Sequence, residues 1–154
     1  MTNCLSRAPP NCYFQVDDFE SPWDFWDFSK PFDLIHAGSL AGSVKDVPNL
    51  LQQAKRNLNP GGWFEFVDFI PEGHSDDDTL KDAKHFCEWA KLLHEASNKF
   101  GKKLNVVPLY KQWMIDAGYK DVTERIYKVH FASFYHPQCV ICRFQSNILS
   151  CRYL

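Results

Sequence analysis

His136-x-x-Cys139-x-x-Cys142, followed by Cys151, is the densest set of metal-ligand residue types in the chain. Zinc favours such soft nitrogen and sulfur donors, and its strong sequence signatures come as two well-spaced pairs. Here the second Cys-x-x-Cys half is missing and apolar Val140, Ile141 and Phe144 are interleaved, so no metal site is expected. As a redox pair, Cys139 and Cys142 lack the aromatic-Cys-Gly context. Ser39 and Ser43 stand near glycines without a nucleophile-elbow pattern. His36 lies near the end of the apolar run Phe32-Asp33-Leu34-Ile35-His36-Ala37, and Asp17-Asp18 stops an earlier one. A histidine so placed serves a site, or is satisfied by solvent or a backbone carbonyl. Paired acids most often only end a strand. A general base needs geometry as well as residue type, so no catalytic residue is assigned.

The elements that must position these residues fit in one domain, since 154 residues do not comfortably make two. Aromatic residues make up 16% of the chain, and most are expected to fill a core. The net charge of −2 gives no basic field for nucleic acid or an acidic membrane. No stretch approaches the roughly 18 apolar residues that a membrane span needs, and no apolar segment of a secretory signal opens the chain. Six cysteines without such a signal read as reduced thiols, with Cys87 a core residue. The expectation is a cytoplasmic or nuclear protein that is not secreted.

Cys12-Tyr13-Phe14-Gln15-Val16 reads as the first strand, and an aromatic, acidic loop from Trp23 to Phe28 leads to a second strand over residues 32–37. Asp46 is a good N-cap and Pro48 a tolerated first-turn residue for a helix. Its stripe is Val47, Leu50, Leu51, Ala54 and Leu58. Asn59-Pro60-Gly61-Gly62 reads as a turn before a strand over residues 63–69. Glu65 and Asp68 lie on or near that strand, and at most Asp68 would face a pocket. A long helix over residues 79–100 ends at Gly101, a shorter one over 108–117 stops at Gly118, and a strand runs over 122–129. Strands alternating with helices predict an α/β fold with a mostly parallel sheet and flanking helices. Residues 1–130 form the expected domain, and 131–154 read as an irregular, divergent tail.

Taken in order, Val16-Asp17-Asp18-Phe19-Glu20-Ser21-Pro22-Trp23, Phe32-Asp33-Leu34-Ile35-His36-Ala37, Leu58-Asn59-Pro60-Gly61-Gly62-Trp63-Phe64-Glu65 and Ala117-Gly118-Tyr119-Lys120-Asp121-Val122 form a familiar set. The chain resembles the later half of class I S-adenosylmethionine-dependent methyltransferases, most of all the fungal group that includes regulators of secondary metabolism. The resemblance implies a partial Rossmann-like fold and S-adenosylmethionine as cofactor. It also implies methyl transfer to a small molecule or protein. By motif position, Asp18 would meet the adenine amino group and the Phe19 N–H the ring. Adenine pairs an exocyclic donor with a ring acceptor, so a carboxylate beside an N–H reads both. His36, Ala37 and Gly38 match cofactor-adjacent positions at the carboxyl end of the family's fourth strand.

The family's glycine-rich G-x-G-x-G turn and its acidic ribose reader have no counterpart among these residues, where the first glycine is Gly38. The chain therefore reads as opening just before the family's third strand, and impaired cofactor binding is expected. With the family's sheet order 3-2-1-4-5-7-6, the strand at residues 32–37 becomes a bare apolar edge. Such edges recruit other chains, so self-association or pairing with an intact homologue is expected, and the chain reads as an impaired methyltransferase or as a catalytically inactive binding subunit.

Overall fold

The computed structural model describes residues 9, 11–12, 14–23, 30–75, 78–131 and 142–153. Four strands and three helices follow one another as β1 (Phe32–Gly38), α1 (Val47–Arg56), β2 (Leu58–His74), α2 (Lys84–Phe100), α3 (Tyr110–Asp116), β3 (Lys120–Phe131) and β4 (Cys142–Arg152). Short 3-10 turns, Thr79–Asp82 and Val107–Leu109, precede α2 and α3.

The strand order is β1-β2-β4-β3. β1 and β2 are parallel, and β4 runs antiparallel to both β2 and β3. Three of these four strands therefore point the same way. The order is the 4-5-7-6 portion of the sheet that the resemblance implies, with β4 as its seventh strand. Residues 131–154 are thus not irregular throughout. Residues 142–152 form β4 and fill the gap between β2 and β3, where both neighbours satisfy the backbone.

Asp46 caps α1 as expected, its Oδ1 accepting the Asn49 N–H at 2.9 Å. The stripe of α1 packs on β2, with Leu51 and Ala54 fully buried beside Phe64 and Phe66. Asn59-Pro60-Gly61-Gly62 lies within β2 rather than before it. Between the pairs Phe32↔Leu58 and Leu34↔Trp63 the register shifts, so the segment bulges out of the ladder. Gly61 makes that possible at φ +84°, and a Cβ at Gly62 would meet the Asn59 carbonyl oxygen at 2.9 Å.

Two other expectations are corrected. Cys12, Phe14, Gln15 and Val16 are irregular, and Val16 is fully exposed. Among the described residues no neighbouring strand offers this segment a ladder, and a strand without one is not stable in water. The long helix is shortened to α2, and none of its residues is buried. Cys87 is exposed, with its thiol 3.5 Å from the Leu80 carbonyl. Periodicity identifies the apolar side of a helix and not whether anything covers it.

Lys55, in the last turn of α1, ties that helix to the end of α3. Its Nζ donates to the carbonyls of Ala117 at 2.8 Å and Gly118 at 3.2 Å, and it lies 5.9 Å from the Tyr119 ring centroid. Helix C-termini leave carbonyls unpaired, and a cation satisfies them. Lys55→Met is expected to cost about 1–2 kcal/mol, read as a lowered urea midpoint. An unchanged midpoint would show that water replaces the ammonium without loss.

Candidate functional site

Along β1, on the face covered by α1, lies a cavity of about 320 Å³. Phe19, His36, Ala37 and Gly38 line it, together with Trp23, Leu40 and Phe64. Four of the five residues singled out from the sequence therefore border one space, although the His36 side chain itself stands on the other face of the sheet. It sits toward the carboxyl end of a parallel strand, where open α/β sheets place their ligands.

Residues 19–23 are held over the cavity at both ends. Trp23, which is buried, donates its backbone N–H to Gln53 Oε1 at 2.8 Å and its indole N–H to the Phe19 carbonyl at 2.9 Å. At the other end, Glu20 Oε1 accepts the N–H groups of Lys45 at 2.7 Å and Asp46 at 3.3 Å, while Lys102 Nζ lies 3.4 Å from Oε2. Burial opposes ionisation of Glu20, but these N–H groups and the ammonium prevail and hold its carboxyl below the usual value. Gln53 carried no signal in the sequence, because a polar residue on α1 reads as solvent-facing.

Asp18 does not line the cavity. It is exposed, its Oδ1 accepts the Glu20 N–H at 3.0 Å, and its own N–H donates to Asp17 Oδ1 at 2.8 Å. That is an Asx turn, and it directs the chain from the exposed segment into Phe19. His36 is half open to solvent and has a carboxylate rather than a backbone carbonyl as its partner. Its Nδ1 lies 2.8 Å from Glu65 Oε2, directly across the β1–β2 pair. The two side chains stand half-exposed on the sheet face opposite α1.

Asp68 departs most from expectation. Instead of facing a pocket it is 3% exposed, and its carboxylate is filled from within. Oδ2 accepts the N–H groups of Leu40 at 2.9 Å and Ala41 at 2.7 Å, and the Tyr110 hydroxyl at 3.1 Å. Tyr110 is fully buried and stacked on Phe66 at 4.3 Å. Burial first, then the neighbouring carboxylate, pushes its phenol far above the ordinary value, so it remains a donor. Among the described residues no group of three His, Cys, Asp or Glu side chains could hold a metal ion. His136 and Cys139 lie outside the described residues. No described helix is long and apolar enough to cross a membrane.

A family model described as a methyltransferase domain matches residues 4–124. The methyltransferase pytC of Aspergillus terreus is 33% identical over 129 residues, covering 84% of this chain and 39% of that protein. The secondary metabolism regulator laeA of Aspergillus niger is 39% identical over 90 residues, covering 58% of this chain and 23% of the regulator. Among solved structures, a Thermotoga maritima SAM-dependent methyltransferase, described as a possible histamine N-methyltransferase, superposes with a TM-score of 0.53 at 13% identity. That match covers 81% of this chain and 57% of the other. The DszA carbon methyltransferase gives the same TM-score at 17% identity, over 92% of this chain and 33% of its own. These structures share the Rossmann-like fold of class I methyltransferases. The chain spans about two fifths of the length of the first curated relatives. With most of its length matched by the family and a third of its residues shared over most of the chain, this protein belongs to the methyltransferase-domain family.

Proposed function

We propose that the chain is part of an S-adenosylmethionine-dependent methyltransferase acting on a small molecule or protein. In this reading the cavity along β1 takes the adenine end of the cofactor, and the chain by itself is impaired in methyl transfer. The observation that carries it is the convergence of Phe19 with His36, Ala37 and Gly38 around one largely apolar space. A ring and apolar walls suit a purine, and Asp18, outside the lining but next to Phe19, is the carboxylate that would reach its amino group while the Phe19 N–H meets the ring.

The fit ends there. The ribose hydroxyls call for an acid, and the methionyl carboxylate for a close row of N–H groups at a glycine-rich turn. The chain's seven glycines make no G-x-G. When bound, the cofactor supplies an electrophilic methyl on a sulfonium. What a protein adds is mostly orientation and exclusion of water. The residues described here supply a hold on the purine, and no methyl-transfer step is routed through them.

A second reading is favoured by the position of β1 at the sheet edge, with Leu34 exposed beside it. In that reading the chain is an inactive, methyltransferase-like subunit that joins a full-length homologue through β1.

Calorimetry on the full chain tests the first reading. Adenosine is expected to bind in the millimolar range, about −4 kcal/mol. S-adenosylmethionine should bind no more tightly, because its extra groups find no partner among the described residues. Asp18→Ala should weaken adenosine more than Asp17→Ala does. Micromolar S-adenosylmethionine binding, about −8 kcal/mol, would overturn the impairment. Failure of adenosine to saturate would remove the purine assignment, and an equal loss from the two aspartates would move the contact off Asp18.

A further inference from the structure

The loop from Gly38 to Gly42 forms one end of the cavity, through Gly38 and Leu40, and its backbone is not one the sequence would choose unaided. Ser39 has φ +57°, left-handed and unfavourable for a residue with a side chain. The loop nevertheless makes a fixed set of bonds. Ser39 N–H donates to the Val67 carbonyl at 2.9 Å, and Gly42 N–H to the Lys103 carbonyl at 3.1 Å. Between them, the successive N–H groups of Leu40 and Ala41 point at one oxygen, Asp68 Oδ2. Successive backbone N–H groups converging in this way make an anion-binding concavity.

In this protein the anion is built in. We infer that Asp68, oriented by the Tyr110 hydroxyl, is a positioning residue that fixes the floor of the cavity by holding the Leu40 and Ala41 amides. The inference rests on the reading of that cavity as the adenosine site, but it concerns residues that reading does not use. Asp68 touches no ligand. It acts through the loop, holding Gly38 and Leu40 against the cavity while Ser39 stays in its strained conformation. Hydrogen bonds to a charged acceptor are stronger than neutral ones, and two of them, at 2.7 and 2.9 Å, hold this loop. Burial sharpens the dependence. A carboxylate 3% exposed has no water to fall back on, so its donors and its geometry stand or fall together.

Asp68→Asn keeps the shape and one acceptor oxygen but removes the charge. Adenosine affinity, measured well below the melting temperature, is expected to fall at least about tenfold, the factor set by losing charge-assisted bonds. In proton–nitrogen correlation spectra the Leu40 and Ala41 amide protons should move upfield, while Phe66 and Tyr119 amides stay in place. A merely structural role would lower the melting temperature and leave the affinity of the folded protein unchanged. That result would overturn the inference.

Tyr110→Phe keeps the stacked ring and deletes the third donor, and serves if Asp68→Asn does not fold. It should shift the same two amides and weaken adenosine by about threefold, one lost hydrogen bond's worth. Leu40 and Ala41 amides unmoved in Tyr110→Phe would equally overturn it. If the unaltered chain takes up no adenosine, the purine reading fails and the amide shifts alone decide the clamp.

Discussion

Removing residues 142–154 is expected to leave a chain with no cooperative unfolding transition. β4 is an interior strand, paired over nearly its whole length with β2 on one side and β3 on the other. Its loss strips a ladder from each neighbour at once and opens the core where Cys151, fully buried, sits on the covered face. Burial pushes the Cys151 thiol up to about 12, so it packs there as a small neutral group. Each backbone group left buried without a partner costs about 1–3 kcal/mol. A handful of them exceeds the roughly 5–15 kcal/mol by which a domain is stable. Asn147→Pro is the point version of the same experiment. Asn147 stands between Asp68 on β2 and Ile126 on β3, and a proline in an interior strand removes a donor and breaks the ladder. Circular dichroism during heating reads both variants. A sharp melt after the deletion would mean that β2 and β3 rejoin directly, and residues 142–154 would be the dispensable tail their sequence suggests.

That contrast marks where the sequence stopped being informative. α1 was legible because its signals are local: an N-cap at Asp46, Pro48 in the first turn and an apolar stripe at helical spacing. β2 was legible over its aromatic stretch. Its bulged start was not, since Pro60-Gly61-Gly62 has the composition of a turn and becomes part of the strand only when β1 lies alongside. β4 carries almost no local signal. Arg143, Gln145, Ser146, Asn147 and Ser150 are weak strand formers, and their strand is imposed by two neighbours already in place. Around the cavity, Phe19, His36, Ala37 and Gly38 were singled out by the order of motifs, which records shared ancestry better than any single residue does. Asp68, the one acid on β2 allowed to face a pocket, is turned inward instead. A carboxylate near a strand's carboxyl end suggests a ligand contact. The partners that absorb it are backbone amides, Leu40 and Ala41, which no residue type announces.

The unmodified chain, for its part, is expected to be oligomeric rather than a stable 17.9 kDa monomer. β1 has a ladder with β2 on one side, and among the described residues no strand on the other. Its outer N–H and C=O groups stay hydrated only while the edge is open, and the open edge is apolar. Leu34 is 58% exposed, and its cross-strand neighbour Trp63 is 38% exposed on the same face. β2 alternates strictly between buried and open positions from Gly62 to Phe69, although Trp63, Val67 and Phe69 on the open face are as apolar as a core. In α/β sheets the parallel strands are ordinarily covered on both faces. Arg152 lies over the Trp63 ring at 5.0 Å and covers only part of it. A second copy pairing along β1 supplies ladder partners and shields Leu34 in one step. Light scattering across a dilution series should give masses above the monomer that fall with concentration. Leu34→Lys places a charge on the edge, a device that blocks strand addition, and should return the protein to monomer without changing its far-ultraviolet spectrum. A single species of monomer mass at every concentration, or association that Leu34→Lys leaves intact, would show that β1 is not the surface through which copies join.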